Sequence, residues 1–401
     1  MDNTTVTQSY EYTVVEKIRM GHPATPHLHG LKEVYGNNGF TGLVFSITRF
    51  AVKKPLPHPY STRFSYRSQL LEEAVVSLPD SSLPPREHMN TYLHGFTEEL
   101  YHLYGFGSDG DPGDYLSEYS RKCAGNINDD IEMLRDKERF HEYMADNGFE
   151  CHLPTLFGHI ENGSFESASD RELEAVIREE GTVVIKGVTG GGGHGVYICE
   201  WNDGRLELYG KDGVADDLES VMPELDRSIV TEYCEQAAYL DDIYAGAPNT
   251  IRVLTMNPDY GEPFIPAAVH RFGTSDSGAL DNFSQNGLSA HIDIESGELS
   301  AAAGVSDTHN VEWCDSHPDT GSSINGFTIP AWESIRDELL TIVEQLPELN
   351  YAGWDLLITS PGEFVIIEGN HFPDPDVIQV HEPLLTDQRV RTFFTENSVP
   401  L

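Results

Sequence analysis

Basic residues are in short supply. The sequence of 401 residues holds 25 Lys and Arg against 66 Asp and Glu, a formal net charge of −41. Lysine is the scarcer: Lys17, Lys32, Lys53, Lys54, Lys122, Lys137, Lys186 and Lys211, with none beyond. Such a surface repels DNA, RNA and anionic membranes, which excludes nucleic acid as a partner. The acids are spread along the chain, and they read as an adaptation to concentrated salt, where self-repulsion is screened within about 3 Å at 1 M. Cysteine is also sparse: Cys123, Cys151, Cys199, Cys234 and Cys314 are odd in number and form no CxxC pair, which excludes a disulfide scaffold and points to a reducing cytoplasm. The start, MDNTTVTQSY, lacks the basic and apolar segments of a signal peptide, and no apolar run has the length of a membrane span. No Lys-Ser/Thr follows the glycines of the chain, so a Walker phosphate loop is absent, and the first 128 residues show no βαβ alternation of the Rossmann kind.

What is present is a succession of α and β patterns. Residues Thr41–Ala51 read as a strand or a buried helix, and His27 and His29 as a solvated loop. Pro85–Tyr104 has helical spacing, Asp111–Gly113 is a turn, and YLSEYSRKC suggests another helix. Asn128–Gly148 predicts one helix, with Met133, Lys137, Phe140 and Met144 on a single stripe. A lysine there either snorkels to the rim or faces an internal anion. A strand around Leu153–Phe157 and a helix over Asp170–Glu180 follow. In Val183–Trp201, two strand-like flanks enclose Gly190, Gly191, Gly192, Gly193, His194 and Gly195. This is either a mobile hairpin tip or a loop whose backbone N–H groups close around phosphate oxygens, with Lys186 beside it as a point charge. Ile229–Cys234 reads as a short edge strand. Asn249–Met256 and Phe264–Phe272 are strands carrying Arg252 and Arg271, Gly287–Ile294 opens a hairpin, and 305–328 is a loop or insertion. Trp332–Leu346 is an amphipathic helix, while the tail from His381 carries no functional signal.

The stretch Tyr351–Phe372 organises the rest. Two β-favouring runs flank a turn at Pro361-Gly362, which predicts Asp355 opposite Glu368 and Leu357 opposite Ile366. Asp355, Glu368 and Asn370 then share one face, and Trp354, Leu356, Ile358, Val365 and Ile367 form the core face. Opposed carboxylates roughly 5 Å apart repel unless a cation separates them, and an Asp, a Glu and an Asn amide suit Mg²⁺. The alternative is an acidic solvent face on a half-exposed hairpin.

Five stretches in this order, LRDKERF, VVIKGVTGGGGHGV, NTIRVLT, LDNFSQNG and GWDLLI…VIIEGN, resemble the ATP-grasp superfamily, and most closely its sugar-transfer-associated group, related to α-L-glutamate-ligase-like proteins. The resemblance covers about residues 129–385. It implies an α+β fold in which two subdomains, 129–235 and 236–401, sandwich ATP, behind a mostly helical accessory region, 1–128. It further implies that Lys137 and Lys186 contact the phosphates, that Gly190–Gly193 and Gly195 fold over them, and that Thr231, Glu232, Tyr233 and Cys234 form the adenine hinge. Glu235 or Asp241 is implied for the ribose, and Asp355, Glu368 and Asn370 for Mg²⁺, with Mn²⁺ as a substitute. Many members carry an arginine close before the metal aspartate; here those places are Gly353 and Trp354, so Arg252, with Arg271, is expected to supply the charge. The implied activity is a cytoplasmic ATP-dependent carboxylate–amine ligase working through an acyl phosphate on small-molecule substrates, in glycan or sugar-conjugate biosynthesis. A phosphotransferase acting on a sugar hydroxyl and a non-catalytic ATP-binding scaffold are the alternatives. His194, His270 and His371 are candidate bases among 17 histidines.

Overall fold

The computed structural model describes residues 60–401, apart from 108–109, 168, 191–194, 203, 211–212, 216–217, 223–224 and 307–309. Thr41–Ala51, His27, His29, Gly191–Gly193 and His194 therefore lie outside the described residues. The chain divides into two compact units, 1–101 and 102–401.

In the first unit, helices α1 (Tyr60–Ser77) and α2 (Pro85–His94) pack through Leu70, Ala74 and Tyr92. The single helix expected over 85–104 is two: Gly95 takes φ 96° and closes α2 with a left-handed cap, and α3 (Glu98–Leu103) starts afresh.

The second unit begins with α4 (Glu118–Ala124), the helix expected from YLSEYSRKC. The helix expected over 128–148 is also split, into α5 (Glu132–Arg135) and α6 (Lys137–Asp146). Asp136 leaves the helical region (φ −100°, ψ 112°), and its carboxylate accepts from the N–H groups of Glu138 and Arg139. It is an N-cap, which makes Lys137 the first residue of α6 and not a member of one long stripe.

A first sheet follows from β1 (Leu156–Glu161), β2 (Ser164–Ser167), β3 (Thr182–Gly187), β4 (Val196–Asn202), β5 (Arg205–Gly210), β6 (Gly213–Ala215) and β7 (Ser228–Glu232). Their order is β2-β1-β7-β3-β4-β5-β6. Helix α7 (Leu173–Glu180) covers one face, with Leu173, Val176 and Ile177 packed on Ile185 and Val230. Two expectations change here. The first strand lies three residues later than the pattern suggested, and β7 is central, not an edge. It pairs with β1 on one side and β3 on the other, which buries Ser228 through Thr231.

After α9 (Ala238–Ile243; α8 is the short turn Leu218–Val221) comes a second antiparallel sheet. It contains β8 (Ile251–Met256), β9 (Phe264–Phe272), β10 (Leu288–Ile292), β11 (Leu299–Val305), β12 (Val311–Cys314), β13 (Tyr351–Ser360) and β14 (Glu363–Asn370), in the order β12-β11-β10-β9-β8-β13-β14. The region 305–328 is thus not all loop, since β12 extends the sheet. Helix α10 (Trp332–Gln345) packs Ile335, Leu339 and Ile342 into the core that holds Val253, Trp354 and Leu356. The tail adds α11 (Asp376–Gln379) and α12 (Gln388–Glu396).

The C-terminal hairpin has the expected pairing of Asp355 with Glu368, and beyond it Gly353 pairs with Asn370. One residue further the register shifts, so Leu356 pairs with Ile366 and Leu357 with Val365. Ile367 is left over as a β-bulge. The bulge reverses the faces of β14: Phe364 and Ile366 enter the core in place of Val365 and Ile367. Strict alternation misassigned these residues because one extra residue turns every side chain before it to the other side.

Candidate active site

Cross-strand partners share a sheet face, so the pairs Glu368–Asp355 and Asp355–Arg252 align three charged groups on the face away from α10. Arg271 joins them from β9, two residues from Val269, which pairs with Arg252. Asp355 is buried, and both its oxygens are engaged: Arg252 Nε donates to Oδ1 at 2.5 Å and Arg252 Nη2 to Oδ2 at 3.0 Å, with Arg271 Nη2 3.2 Å from Oδ2. Burial alone would raise the Asp355 pKa, but the two guanidinium groups outweigh it and hold the carboxyl down to about 2. Burial likewise opposes the charge on Arg252, and the Asp355 and Glu368 carboxylates keep it firmly protonated. Behind this pair, Thr250 Oγ1 accepts from Arg271 Nε at 3.0 Å and donates to Asp281 Oδ2 at 2.5 Å. Asp281 belongs to the LDNFSQNG stretch, so that motif orients an arginine.

The place of the missing arginine has a steric explanation. A Cβ on Gly353 would lie 2.7 Å from Pro373 and 3.5 Å from Arg252 Cδ. Position 353 has no room for a long side chain because Pro373 closes over it, while Arg252, reaching from the neighbouring strand, lies in ordinary contact beside it.

Lys186 comes from the first sheet, and Lys137 from α6, whose Phe140 and Met144 pack into the core of the second. On β3, Ile185 points into the α7 core, so Lys186 points away from it. Its Nζ donates at 3.0 Å to the carbonyl of Ile367, the bulged residue of β14. Burial lowers the Lys186 pKa to about 8, with Glu368 opposing the shift and Lys137 adding to it. Lys137 Nζ lies 3.6 Å from Glu368 Oε2 and donates to Gly190 O at 2.9 Å, while its backbone N–H bonds Val188 O at 2.9 Å. Its approach depends on Gly369, where a Cβ would meet Leu134 at 2.6 Å and Phe140 at 2.9 Å. Of the glycine loop, Gly190 is thereby placed beside Lys137, Gly195 closes the loop onto Gly187 through a backbone bond of 3.1 Å, and the rest lies outside the described residues.

Glu368 stands directly across the ladder from Asp355, and Asn370 Nδ2 donates to Glu368 Oε1 at 3.4 Å. Carboxylates facing each other repel unless positive charge stands by them. Oδ1 of Asp355 keeps a lone pair beyond its one guanidinium bond, whereas Oδ2 meets both arginines. A hard divalent cation here would draw on that oxygen, the Glu368 carboxylate and the Asn370 amide oxygen, the residue types expected for Mg²⁺. Among the described residues there is no cluster of three His, Cys, Asp or Glu side chains suited to a metal, so an amide must complete any set at this site.

Past β7, no backbone hydrogen bond joins Tyr233, Cys234 or Glu235 to another described residue. Their N–H and C=O groups are therefore available to a flat ligand edge. Thr231 is buried within the sheet. The Glu232 side chain is occupied, its Oε2 accepting from Thr155 N at 3.1 Å and Thr155 Oγ1 at 2.7 Å. Cys234 lies close enough to Lys186 to feel its charge, although burial leads in pushing its thiol up to about 11. Glu235 is exposed, and Asp241 accepts from Gln236 Nε2 at 2.8 Å.

Of the candidate bases, His270 is not at the site. It pairs with Ile251 on the opposite face, stacks on Phe272 at 4.4 Å and is fully buried, which pushes its pKa down to about 3. His371 is partly buried, with its pKa lowered by burial and by Arg135. The sequence reading missed Thr250, Asp281 and Asp374. Asp374 is exposed and close enough to Arg252 to help hold its charge. Its signal was the Pro-Asp-Pro-Asp run directly after the proposed ligand hairpin.

Two antiparallel sheets with their helices, the first bringing Lys186 and the glycine loop and the second bringing the arginines, acids and amide with the Lys137 helix packed on it, make up the ATP-grasp fold. The chain belongs to the sugar-transfer associated ATP-grasp family, whose profile matches residues 117–391. Among solved structures it is similar to N5-carboxyaminoimidazole ribonucleotide synthetase from Thermotoga maritima (14% identity, TM-score 0.32, 64% of this chain and 44% of that one). It is also similar to L-amino acid ligase from Bacillus licheniformis (11%, 0.37, 67% and 52%) and D-alanyl-alanine synthetase A from Vibrio cholerae (10%, 0.36, 66% and 66%). The chain spans less than half the length of the first of these, and likeness at this level says nothing of reaction or substrate. No curated protein matches the sequence. No helix among the described residues is long and apolar enough to cross a membrane.

Proposed function

We propose that the protein is an ATP- and Mg²⁺-dependent carboxylate–amine ligase acting on small molecules in the synthesis of a glycan or sugar conjugate. Residues 129–235 and 236–401 serve as its two ATP-grasp subdomains and 1–128 as an accessory region. The observation that carries this reading is the meeting of Lys186, from the first sheet, and Lys137, from α6, with the Ile367–Glu368 segment at 3.0 and 3.6 Å, beside Asp355 and two arginines. Four cations converge there in a chain with only 25. That concentration suits a polyphosphate better than any neutral ligand.

Lys137 and Lys186 hold phosphate oxygens, and the Gly190–Gly195 loop closes over them and keeps water out. Backbone groups of Tyr233 and Cys234 read the base, and Glu235 lies nearest to serve the ribose. Glu368, Asn370 and Asp355 hold Mg²⁺ (or Mn²⁺), which supplies Lewis-acid neutralisation of phosphoryl charge when bound. Arg252 and Arg271, fixed by Asp355 and Thr250, direct positive charge at the transferring group, a contribution made by positioning and electrostatics. A substrate carboxylate oxygen attacks the γ-phosphorus, the bond to the β-phosphate oxygen breaks, and ADP leaves. The acyl phosphate then takes an amine at its carbonyl carbon, forming the amide and releasing phosphate and a proton.

Labelled ATP in concentrated KCl tests the reaction. Free phosphate with an amide is the expected product. A phosphorylated sugar instead overturns the ligase in favour of a phosphotransferase, and nucleotide binding without ADP across a broad acceptor screen overturns turnover altogether.

A further inference from the structure

Amide formation needs a base, because an amine acceptor is an ammonium ion at neutral pH and has no lone pair until a proton leaves. Three acids of the cleft are already committed. Asp355 is paired with two guanidinium groups, and Asp281 accepts from Thr250 N at 2.8 Å and from the Thr250 hydroxyl. Glu368 faces Lys137 and Asn370. Asp374 is the fourth. It is exposed and close enough to Arg252 to help hold that charge. Among the described residues it has no ion pair and one hydrogen bond, which its Oδ1 accepts from Asp376 N at 3.3 Å.

Exposure does not leave Asp374 loose. Pro373, directly before it, closes over Gly353, where a Cβ would meet it at 2.7 Å, and the Pro373 carbonyl accepts from Arg121 Nε at 3.2 Å. The Arg121 guanidinium lies 3.9 Å over the Phe372 ring, and a Cβ on Gly125, just past α4, would meet that ring at 2.7 Å. Behind Asp374, Asp376 opens α11 and turns inward, where buried Tyr104 donates its hydroxyl to Oδ1. Gln379 Nε2 donates to the same hydroxyl at 3.2 Å, while its Oε1 accepts from Leu116 N at 2.7 Å. The single phenolic proton is therefore directed at Asp376.

Two carboxyl groups this close titrate as a pair. Burial, the Asp374 charge and, more weakly, Glu118 push Asp376 up to about 7, against the Tyr104 hydroxyl and Arg121. The charged and titratable groups facing the pair are thus Arg252 from β8, Arg121 and Glu118 from α4, and Tyr104. A lone surface aspartate, at about 3.9, is a poor base for an ammonium ion, whereas a pair that still takes a proton near neutrality is matched to the task.

We infer that Asp374 is the catalytic base for the acceptor, that Asp376 and Tyr104 are its positioning residues, and that the acceptor is a primary amine bound as its ammonium ion. The inference rests on the ligase reading. Asp374 takes one proton from the ammonium, and the freed lone pair forms the bond to the acyl carbon. The bond from that carbon to the phosphate oxygen breaks, with its electron pair going to phosphate. Phosphate leaves with the second proton, and the third stays on the amide nitrogen.

Hydroxylamine separates the base from the steps before it. It is uncharged in mildly alkaline buffer and traps an acyl phosphate as the hydroxamate without needing a base. Full-length wild-type protein, Asp374→Asn and Tyr104→Phe receive MgATP in concentrated KCl with glucuronate, galacturonate and N-acetylmuramate as carboxylate probes. The nucleophile is either hydroxylamine or an amine, with glycine, lysine and glucosamine as probes. In Asp374→Asn the amide rate is expected to fall about 10²–10³-fold, while the hydroxamate rate stays within about twofold. Asparagine keeps the acceptor oxygen for Asp376 N, so the segment retains its shape. Tyr104→Phe removes a bond that favours ionised Asp376, and it is expected to move the acid limb of the amide kcat profile to higher pH without moving the hydroxamate profile. Equal loss of both products in Asp374→Asn overturns the base, because the residue then acts on phosphoryl transfer. So does an amide rate that the substitution leaves unchanged. An acid limb that stays in place in Tyr104→Phe overturns the part given to Asp376 and Tyr104. Hydroxamate without amide from any amine in the wild type overturns the amine acceptor and its base together. Wild-type protein that yields neither ADP nor hydroxamate with any probe overturns the ligase reading itself.

Discussion

Replacing Lys186 with methionine should make the protein more stable and unable to bind nucleotide. The ammonium is 8% exposed, and its pKa falls from 10.5 to about 8 because burial outweighs the attraction of Glu368. At ~1.36 kcal/mol per unit, the charged lysine costs the folded state about 3 kcal/mol. The folded value lies below the unfolded one. The cost is therefore full below about pH 8, where both states are charged, and fades as the pH climbs toward 10.5, because the unfolded chain then holds the proton that the folded chain has lost. Methionine keeps the length and buries without charge. Loss of the 3.0 Å bond to Ile367 O offsets part of the gain, so a net stabilisation of about 1–3 kcal/mol is expected at neutral pH, shrinking to near zero by about pH 10. Urea unfolding of both proteins in concentrated KCl, at several pH values across that range, measures the difference, and calorimetry measures MgATP binding. A variant that is less stable at neutral pH, or a gap that does not close as pH rises, refutes the claim that this lysine is held at an electrostatic cost.

Asp355→Asn should abolish Mg²⁺-dependent turnover and, by leaving Arg252 buried without its partner, lower stability by about 3–5 kcal/mol in denaturant titrations. Gly369→Ala should cost about 1–3 kcal/mol by overpacking Leu134 and Phe140, and should weaken MgATP binding by shifting α6 and its Lys137, both readable in one calorimetric series. Dilution from concentrated KCl into low-salt buffer should unfold the protein, followed by circular dichroism, because the net charge of −41 then repels itself unscreened.

The reasons some features were legible in the sequence and others were not are local. Asp355 and Glu368 could be paired on paper because the turn at Pro361-Gly362 fixes the register, and the two irregularities between turn and charges, at Thr359 on one strand and Ile367 on the other, cancel. The bulge at Ile367 was invisible, since it has the residue type of any strand position. Its effect was felt only in which β14 residues are buried. Helix breaks at Gly95 and Asp136 were marked by the residues that cause them, a glycine and an aspartate two residues before the N–H groups it caps, yet the apolar spacing runs smoothly through both. The centrality of β7 depends on strands β1 and β3, which are distant in sequence, and no local pattern reports such neighbours. Arg252 and Arg271 stood out because arginine within a buried strand demands a partner. Thr250 and Asp281 did not, because a threonine and an aspartate near strand ends are unremarked in any acidic protein.

The balance of charge at the site argues against a purely structural role. A buried ion pair seldom stabilises a fold better than apolar residues of the same volume, so a cluster of Arg252, Arg271, Lys186, Asp355 and Glu368 is a poor way to hold two sheets together. The acids match the cations in number, but the arginines take most of them. Lys186 finds only a carbonyl within 3.0 Å, and Lys137, at 3.6 Å from Glu368, shares that carboxylate with its neighbours. A fold selected for stability alone would spend its eight lysines on a surface of 66 acids, where each would relieve repulsion. Two of them are instead drawn into one cleft, against desolvation, facing the segment that joins Ile367 to Asn370. With Asp355, Glu368, Asp281 and Asp374 set against Arg252, Arg271, Lys137 and Lys186, the cleft is balanced as it stands, so an anion entering it would have to bring its own cation.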